Sequence, residues 1–209
     1  MMLLPKYIKP TLYVVCVLLS GCFGGQQVKP NVEADVSSTR VEIPSQAAAD
    51  FKIAIGHMNS GDYNQAEVAF KKLTEQYPVL SGPYANLGVI YSQREEWDEA
   101  TEYLTKAIEK NPKNVKARNQ LGWVYRQQGK FEQAEEQYRQ AIEQNPEYAA
   151  SHRNLGILYD IYMGNLVKAS EHYQSYQSLQ SEPDRQVAGW LVDIKRRANI
   201  ESQLASEAQ

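Results

Sequence analysis

The chain has 209 residues, of which 43% are hydrophobic and 22% charged, and its formal net charge is −3. A mild, mixed charge of this kind argues against a nucleic-acid-binding protein, which needs a strongly basic face. The length is sufficient for one globular domain with a sizeable core.

The first residues have the pattern of a secretory signal. Lys6 and Lys9 give a positive start, and residues 11–19 form an apolar run that is too short to span a bilayer. Small residues close the run before Cys22, in the order Leu19-Ser20-Gly21-Cys22. We therefore predict a signal peptide at residues 1–21.

This four-residue motif resembles the lipobox of bacterial lipoprotein precursors. The resemblance implies that Cys22 carries a diacylglycerol and an amide-linked acyl chain, and that this lipid is the only covalent group on a chain without other cofactors. Phe23 stands where the related inner-membrane lipoproteins have Asp, which implies the periplasmic face of the outer membrane. The alternative is an ordinary signal peptide or a short anchor. The other cysteine, Cys16, lies in the removed segment, so the mature chain has no disulfide.

Residues 22–46 have no helical periodicity and are rich in Gly, Gln, Ser and Pro, which predicts a flexible tether. A register with a period of 34 residues follows. Leu, Gly and Tyr recur as Leu87, Gly88 and Tyr91, then as Leu121, Gly122 and Tyr125, then as Leu155, Gly156 and Tyr159. Alanines and prolines keep the same period, at Ala100 and Ala134 and at Pro78, Pro112 and Pro146. A 34-residue period is typical of stacked helix pairs.

The first and the fourth units deviate from the register. Ile53, Ala54 and His57 replace Leu, Gly and Tyr in the first unit, as expected for a terminal unit that packs on one side only. The fourth unit has one extra residue, which the register places within 160–163. After Pro183, an apolar stripe at Val187, Leu191, Ile194 and Ala198 predicts a helix that covers the last unit.

Residues 47–182 resemble four tetratricopeptide repeats, at about 47–80, 81–114, 115–148 and 149–182, with a capping helix and tail at 183–209. The predicted fold class is all-α. The resemblance implies a right-handed α-solenoid whose first helices line a concave surface that binds a protein or a peptide.

The register also predicts which side chains line this groove. They are four apolar residues, Ile55, Val89, Trp123 and Ile157, surrounded by Asn86, Lys116, Asn119, Arg126, Arg153 and Asn154. Trp123 is the predicted hot spot, since large aromatic residues dominate many interfaces. The alternatives are that the aliphatic residues pack against neighbouring helices, that Lys116 and Arg153 are surface charges, and that the asparagines before Leu-Gly are structural.

One specific family site is not expected. The family members that bind chaperone tails hold a carboxylate with five basic and amide side chains. Asn86 and Lys116 match two of these positions, but Phe51, Ile55 and Gln120 occupy the others. We therefore reject that clamp for this chain.

Catalysis is not expected either. His57, His152 and His172 are few and scattered along the sequence, and no thiol remains in the mature chain. The acidic residues of the second helices, including Glu99, Glu132, Glu135 and Glu136, are assigned to a solvated convex face.

The predicted function is a lipid-anchored, periplasm-facing adaptor. Lipoproteins of this build include pilotins, so pilus or secretion assembly is favoured. Two alternatives remain: a structural subunit that self-associates through aromatic residues between Tyr162 and Tyr176, and a glycan or cell-wall binding module. The same aromatic residues have a simpler interpretation as the seat of the capping helix.

Overall fold

The computed structural model describes the backbone of residues 43–207 and the side chains of residues 43–199. The predicted signal peptide, Cys22 and most of the tether lie outside the described residues. The described part forms nine α-helices and one π-helical turn. In order they are α1 Ser45–Asn59, α2 Tyr63–Gln76, α3 Ser81–Gln93, α4 Trp97–Lys110, α5 Val115–Gln127, α6 Phe131–Gln144, α7 Ala149–Ile157, the π turn Leu158–Tyr162, α8 Leu166–Ser178 and α9 Arg185–Glu207.

The helices pack consecutively as antiparallel pairs, α1 with α2, α3 with α4, α5 with α6 and α7 with α8. The all-α solenoid of four helix pairs and a final helix is therefore confirmed. No helix in the described range is both long and apolar enough to cross a membrane.

In the second, third and fourth helix pairs, a glycine of the first helix packs directly against a large side chain of the second helix. A Cβ atom on Gly88 would lie 2.5 Å from Leu104 Cγ, and one on Gly122 would lie 2.7 Å from Tyr138 Cε1. In the fourth unit, a Cβ atom on Gly156 would lie 2.6 Å from the Tyr173 ring. The Gly of the Leu-Gly register is thus required because the partner helix lies closer than any side chain allows.

The ends of the helices follow from local chemistry. The side chains of Asp62, Asn114 and Asn165 accept hydrogen bonds from the backbone N–H groups of the first turns of α2, α5 and α8. The second helices α4 and α6 are followed by the C-cap residues Asn111 and Asn145, which are extended because prolines follow them.

The extra residue of the fourth unit forms the π turn. Residues 158–162 are wound with one more residue than an α-helical turn, and Gly164 (φ +64°) then reverses the chain into α8. Leu155 before the π turn and Ala169 after it are both fully buried. The insertion is absorbed locally, and the register of the core is preserved on both sides.

Neighbouring units are joined by tyrosine hydroxyls. Tyr91 donates to Glu67 of the preceding unit at 2.9 Å, and Tyr159 donates to Glu135 at 2.6 Å. The assignment of Glu135 to a merely solvated face was therefore wrong: its side chain is 20% exposed and also lies 3.8 Å from Lys168. At these two junctions the second helix of the preceding unit supplies a partly buried carboxylate that accepts from the tyrosine hydroxyl.

Helix α9 covers the fourth unit. Val187 and Ile194 are buried against α8, and Trp190 contacts Tyr173 with ring centroids 5.2 Å apart. Arg197 of α9 forms an ion pair with Asp160 in the π turn. Ala198, the last residue of the predicted apolar stripe, is exposed, so the buried stripe ends at Ile194.

Candidate functional site

A cavity of about 360 Å³ lies between the first helices α1, α3 and α5. Its wall is largely apolar, with Phe51, Ile55, Ala85 and Val89 facing it, and Leu104 lies behind. Four of the predicted groove residues, Ile55, Asn86, Val89 and Lys116, line this one cavity. We call it the first-helix cavity.

Polar groups lie around the apolar wall. Lys116 is exposed, and the Asn86 amide donates to the Gly82 carbonyl at 2.9 Å, which fixes its orientation. Gln120 donates to the Ser92 hydroxyl at 3.1 Å. A ligand here would meet apolar contact in the centre and one cation at the rim.

All five positions of the family's carboxylate clamp line the first-helix cavity, namely Phe51, Ile55, Asn86, Lys116 and Gln120. The position of the clamp is present, but an aromatic and an aliphatic side chain stand in place of two polar groups. The cavity therefore suits an apolar side chain of a bound chain better than a terminal carboxylate.

The other two apolar groove residues lie elsewhere. Trp123 is not part of the cavity wall: its ring contacts Trp97 at the start of α4, with centroids 5.8 Å apart and planes at 60°. Ile157 packs, partly buried, against the core of units three and four. The four predicted apolar groove residues therefore do not form one continuous surface. Ile55 and Val89 line the cavity, whereas Trp123 and Ile157 pack between helices.

The remaining polar groove residues make contacts between helices. Asn119 is 9% exposed and its Oδ1 atom accepts from Ser151 at 3.2 Å and from Asn154 at 3.1 Å, which links α5 to α7. Arg153 lies over the Trp190 ring at 5.2 Å and donates to Gln186. Arg126, also 9% exposed, lies 5.8 Å from the Tyr162 ring.

A histidine pair was missed by the sequence analysis. His152 Nδ1 and His172 Nδ1 are 3.3 Å apart, and His152 Nε2 lies 3.0 Å from the Pro146 carbonyl, which can only accept. His152 therefore donates through Nε2 and accepts through Nδ1 from His172. Burial, together with the neighbouring His152, lowers the pKa of His172 to about 4. The two histidines are distant in the sequence but not in space, and the first α7 turn and α8 bring them together.

This pair does not form part of a metal cluster. Within residues 43–199, no group of three or more His, Cys, Asp or Glu side chains could hold a metal ion. His172 instead stacks on Tyr159 with centroids 5.7 Å apart, which is the arrangement of a packed inter-helix contact.

A network of ion pairs around Glu67 joins the first two units. Glu67 accepts from Lys71, Arg94 and Tyr91, and these hydrogen bonds, led by that from Lys71, lower the pKa of Glu67 to about 2. The same pairing raises the pKa of Lys71. These groups link α2 to α3 on the side of the second helices, so they stabilise the stack and do not line the first-helix cavity.

Family comparisons agree with this geometry. Tetratricopeptide repeat models match residues 48–78, 83–114 and 103–136, and a TPR repeat model matches residues 122–160. Together the matches span just over half of the chain. The chain is a tetratricopeptide repeat protein.

Solved structures support the same fold for this tetratricopeptide repeat protein. PilF of Pseudomonas aeruginosa is 23% identical with a TM-score of 0.66, covering 76% of this chain and 72% of that one. MamA is 26% identical with a TM-score of 0.56, covering 66% and 74%. YrrB, described as a TPR protein with an unusual peptide-binding site, is 27% identical with a TM-score of 0.57, covering 68% and 72%. No curated protein sequence matches significantly. The tetratricopeptide fold is that of a scaffold for protein interactions.

Proposed function

We propose that this protein is a lipid-anchored adaptor that binds an extended or helical segment of a partner protein in the first-helix cavity. The observation that carries the proposal is the apolar wall of that cavity, open between three first helices and bordered by Lys116. A volume of about 360 Å³ accommodates one or two large side chains, which is how short peptide motifs anchor in grooves.

The proposed anchor is the lipid on Cys22, and the proposed location is the periplasmic face of the outer membrane. Support comes from the lipobox-like sequence and from Phe23 after it. Several acyl chains hold a protein firmly, since each buried methylene contributes about 0.8 kcal/mol. Anchoring in turn raises the local concentration of whatever the cavity binds. The resemblance of an anchored repeat array to pilotins favours envelope assembly, such as pilus or secretion machinery.

The binding part of the proposal is tested by two matched substitutions. Val89 lines the cavity, whereas Val68 is 66% exposed on α2, away from it. Full-length protein carrying Val89→Asp is expected to lose co-purifying partners from the cell envelope, and Val68→Asp is expected to retain them. Lys116→Glu, at an exposed cavity residue, provides a second groove variant whose fold is not at risk. If all variants recover the same amount of partner protein, the first-helix cavity is not the binding site.

The anchor is tested separately. Cys22→Ala is expected to release the protein to the soluble fraction while its helical circular dichroism is unchanged. If the variant stays in the membrane after a salt wash, the lipid is not the anchor.

Self-association is a second candidate, because four apolar side chains near the π turn are exposed. Ile161, Tyr162, Met163 and Val167 are 67%, 42%, 37% and 70% exposed. Tyr173 and Tyr176, in contrast, contact Trp190 and Asp184 and so seat α9. Concentration-dependent sedimentation that disappears in Val167→Asp would support self-association through this surface.

A further inference from the structure

Arg126 is a buried cation whose hydrogen-bonding capacity is not used by the described residues. It lies in the last turn of α5 and is 9% exposed. Its Nε and Nη1 atoms are buried and have no hydrogen-bond partner among the described residues. Guanidinium groups in protein interiors normally donate to carboxylates or carbonyls, so these two unpartnered nitrogen atoms require an explanation.

Its surroundings compensate the charge only in part. The C-terminal end of α5 favours a cation, and the Tyr162 ring lies 5.8 Å from the guanidinium. Neither of these contacts accepts a hydrogen bond from Nε or Nη1. A buried ion without a hydrogen-bonded counterion lowers stability, which is characteristic of residues kept for binding and not for folding.

A second unpaired donor belongs to the same unit. The Tyr138 hydroxyl is buried without a hydrogen-bond partner in the described part of the chain. Burial raises the pKa of the Tyr138 phenol, and the charge of Arg126 acts in the opposite direction. The phenol therefore remains a neutral O–H donor near the guanidinium.

The fourth unit provides an internal template for these groups. Tyr173 packs on Gly156 as Tyr138 packs on Gly122, so the two tyrosines are equivalent. In the fourth unit the Tyr173 hydroxyl donates to Asp160 at 3.3 Å, and the Arg197 guanidinium donates to the same carboxylate. One carboxylate thus satisfies a tyrosine hydroxyl and a guanidinium together. In the third unit the 34-residue register places Arg126 where the fourth unit has Asp160, and no carboxylate of the described residues accepts from the Arg126 Nε and Nη1 atoms or from the Tyr138 hydroxyl.

We propose that Arg126 and Tyr138 form a binding site for a carboxylate supplied by a partner polypeptide, which accepts from the guanidinium and the phenol together, as Asp160 accepts from Arg197 and Tyr173 in the fourth unit. The ligand is an acidic side chain or a free C terminus. The Tyr162 ring, 42% exposed and followed by Gly164 in the left-handed region, covers the guanidinium and moves aside when the carboxylate enters.

This site is distinct from the first-helix cavity. Lys116, Trp123 and Arg126 lie along one face of α5, and ten residues of helix place Arg126 about 15 Å from Lys116. The carboxylate site therefore goes beyond the proposed groove function, and either can fail while the other holds.

The test is direct observation of the Arg126 Nε–H group by NMR in the full chain, labelled with ¹⁵N-arginine and purified in detergent. The probes are sodium acetate against sodium chloride at equal ionic strength, and two tripeptides. One tripeptide has an internal glutamate and a blocked C terminus, and the other has alanines and a free C terminus. Arg153, which already lies against Trp190 and Gln186, is the control resonance in the same spectra. Arg126→Lys assigns the signal by its loss.

We expect a saturable shift of the Arg126 signal with acetate and with at least one tripeptide, while Arg153 does not respond. Whichever tripeptide acts identifies the source of the carboxylate. Tyr138→Phe is expected to weaken binding about fivefold, because one hydrogen bond is lost. Tyr162→Ala is expected to accelerate hydrogen exchange of the Arg126 Nε–H, because the cover is removed.

A stability measurement separates binding from folding. Arg126→Met is expected to leave the melting temperature unchanged or to raise it by about 3 °C, since it removes a buried unpaired charge. No shift with any carboxylate, or a non-saturating shift shared with Arg153, would overturn the site. A fall of several degrees in Arg126→Met would also overturn it and make Arg126 a structural residue.

Discussion

The close contact between α5 and α6 at Gly122 gives the most exacting prediction. Gly122→Ala places a Cβ atom 2.7, 2.8 and 3.0 Å from three atoms of the Tyr138 ring. Tyr138 is fully buried, so its ring has no solvent into which it can move. The same substitution at Gly56, in the interior of α1, meets no atom within 4 Å.

The two substitutions are expected to change the free energy of unfolding in opposite directions. Overpacking a buried contact costs about 1–3 kcal/mol, and the better helix propensity of Ala returns up to about 1 kcal/mol. Gly122→Ala should therefore lower the free energy of unfolding by about 1–2 kcal/mol. Gly56→Ala should raise it by about 0.5–1 kcal/mol, since only the propensity changes.

The assay is urea unfolding of the full chain in detergent, followed by helical circular dichroism. Repeat arrays do not always unfold in one step, so the comparison uses transition midpoints at equal slope. If Gly122→Ala is as stable as Gly56→Ala, the close approach of α5 and α6 is not the reason for the glycine.

Three further predictions concern side-chain pairs. The pKa of His172 is about 4 in the folded protein and near 6.5 in the unfolded chain, so the unfolded chain takes up a proton first as the pH falls. The free energy of unfolding is therefore highest above pH 6.5 and decreases as the pH falls towards 4. The pKa difference corresponds to a loss of at most about 3 kcal/mol, which solvent screening reduces to ~1–2 kcal/mol. His172→Phe should remove this loss, so its unfolding midpoint should vary less with pH. Asp160→Asn breaks the ion pair with Arg197 and should therefore weaken the packing of α9. Amide hydrogen exchange should become faster in α9 but not in α3; unchanged exchange of α9 relative to the wild-type protein would contradict this. Glu135→Ala leaves the Tyr159 hydroxyl without its acceptor and should cost about 1–3 kcal/mol; an unchanged midpoint would make that bond unimportant.

The fold was predictable because its decisive contacts repeat at a fixed separation. The contact of a glycine with a large side chain in the second, third and fourth helix pairs, such as Gly88 with Leu104, joins residues less than one period apart. The extra residue near 160–163 was visible as a break in the same period. Its form as a π turn at residues 158–162 was not, because the sequence does not say how a helix absorbs one residue.

The candidate site was predictable only where it depends on register. Ile55 and Val89 are at equivalent first-helix positions, Lys116 lies two turns before that position in α5, and the three residues meet in one cavity. The position of Trp123 against Trp97 depends on how far α5 is displaced from α4, which periodicity does not specify. Likewise, the contact of His152 with His172 and the burial of Arg126 depend on neighbouring side chains and not on the repeat pattern.

The central claim is that the first-helix cavity binds a protein partner, and photo-crosslinking in the living cell tests it most directly. A photoreactive amino acid replaces Val89 in the cavity or Val68 on the exposed face of α2. The account predicts a discrete crosslinked band from the Val89 position only, containing a second protein. Equal bands from both positions, or a band from Val68 alone, would contradict it.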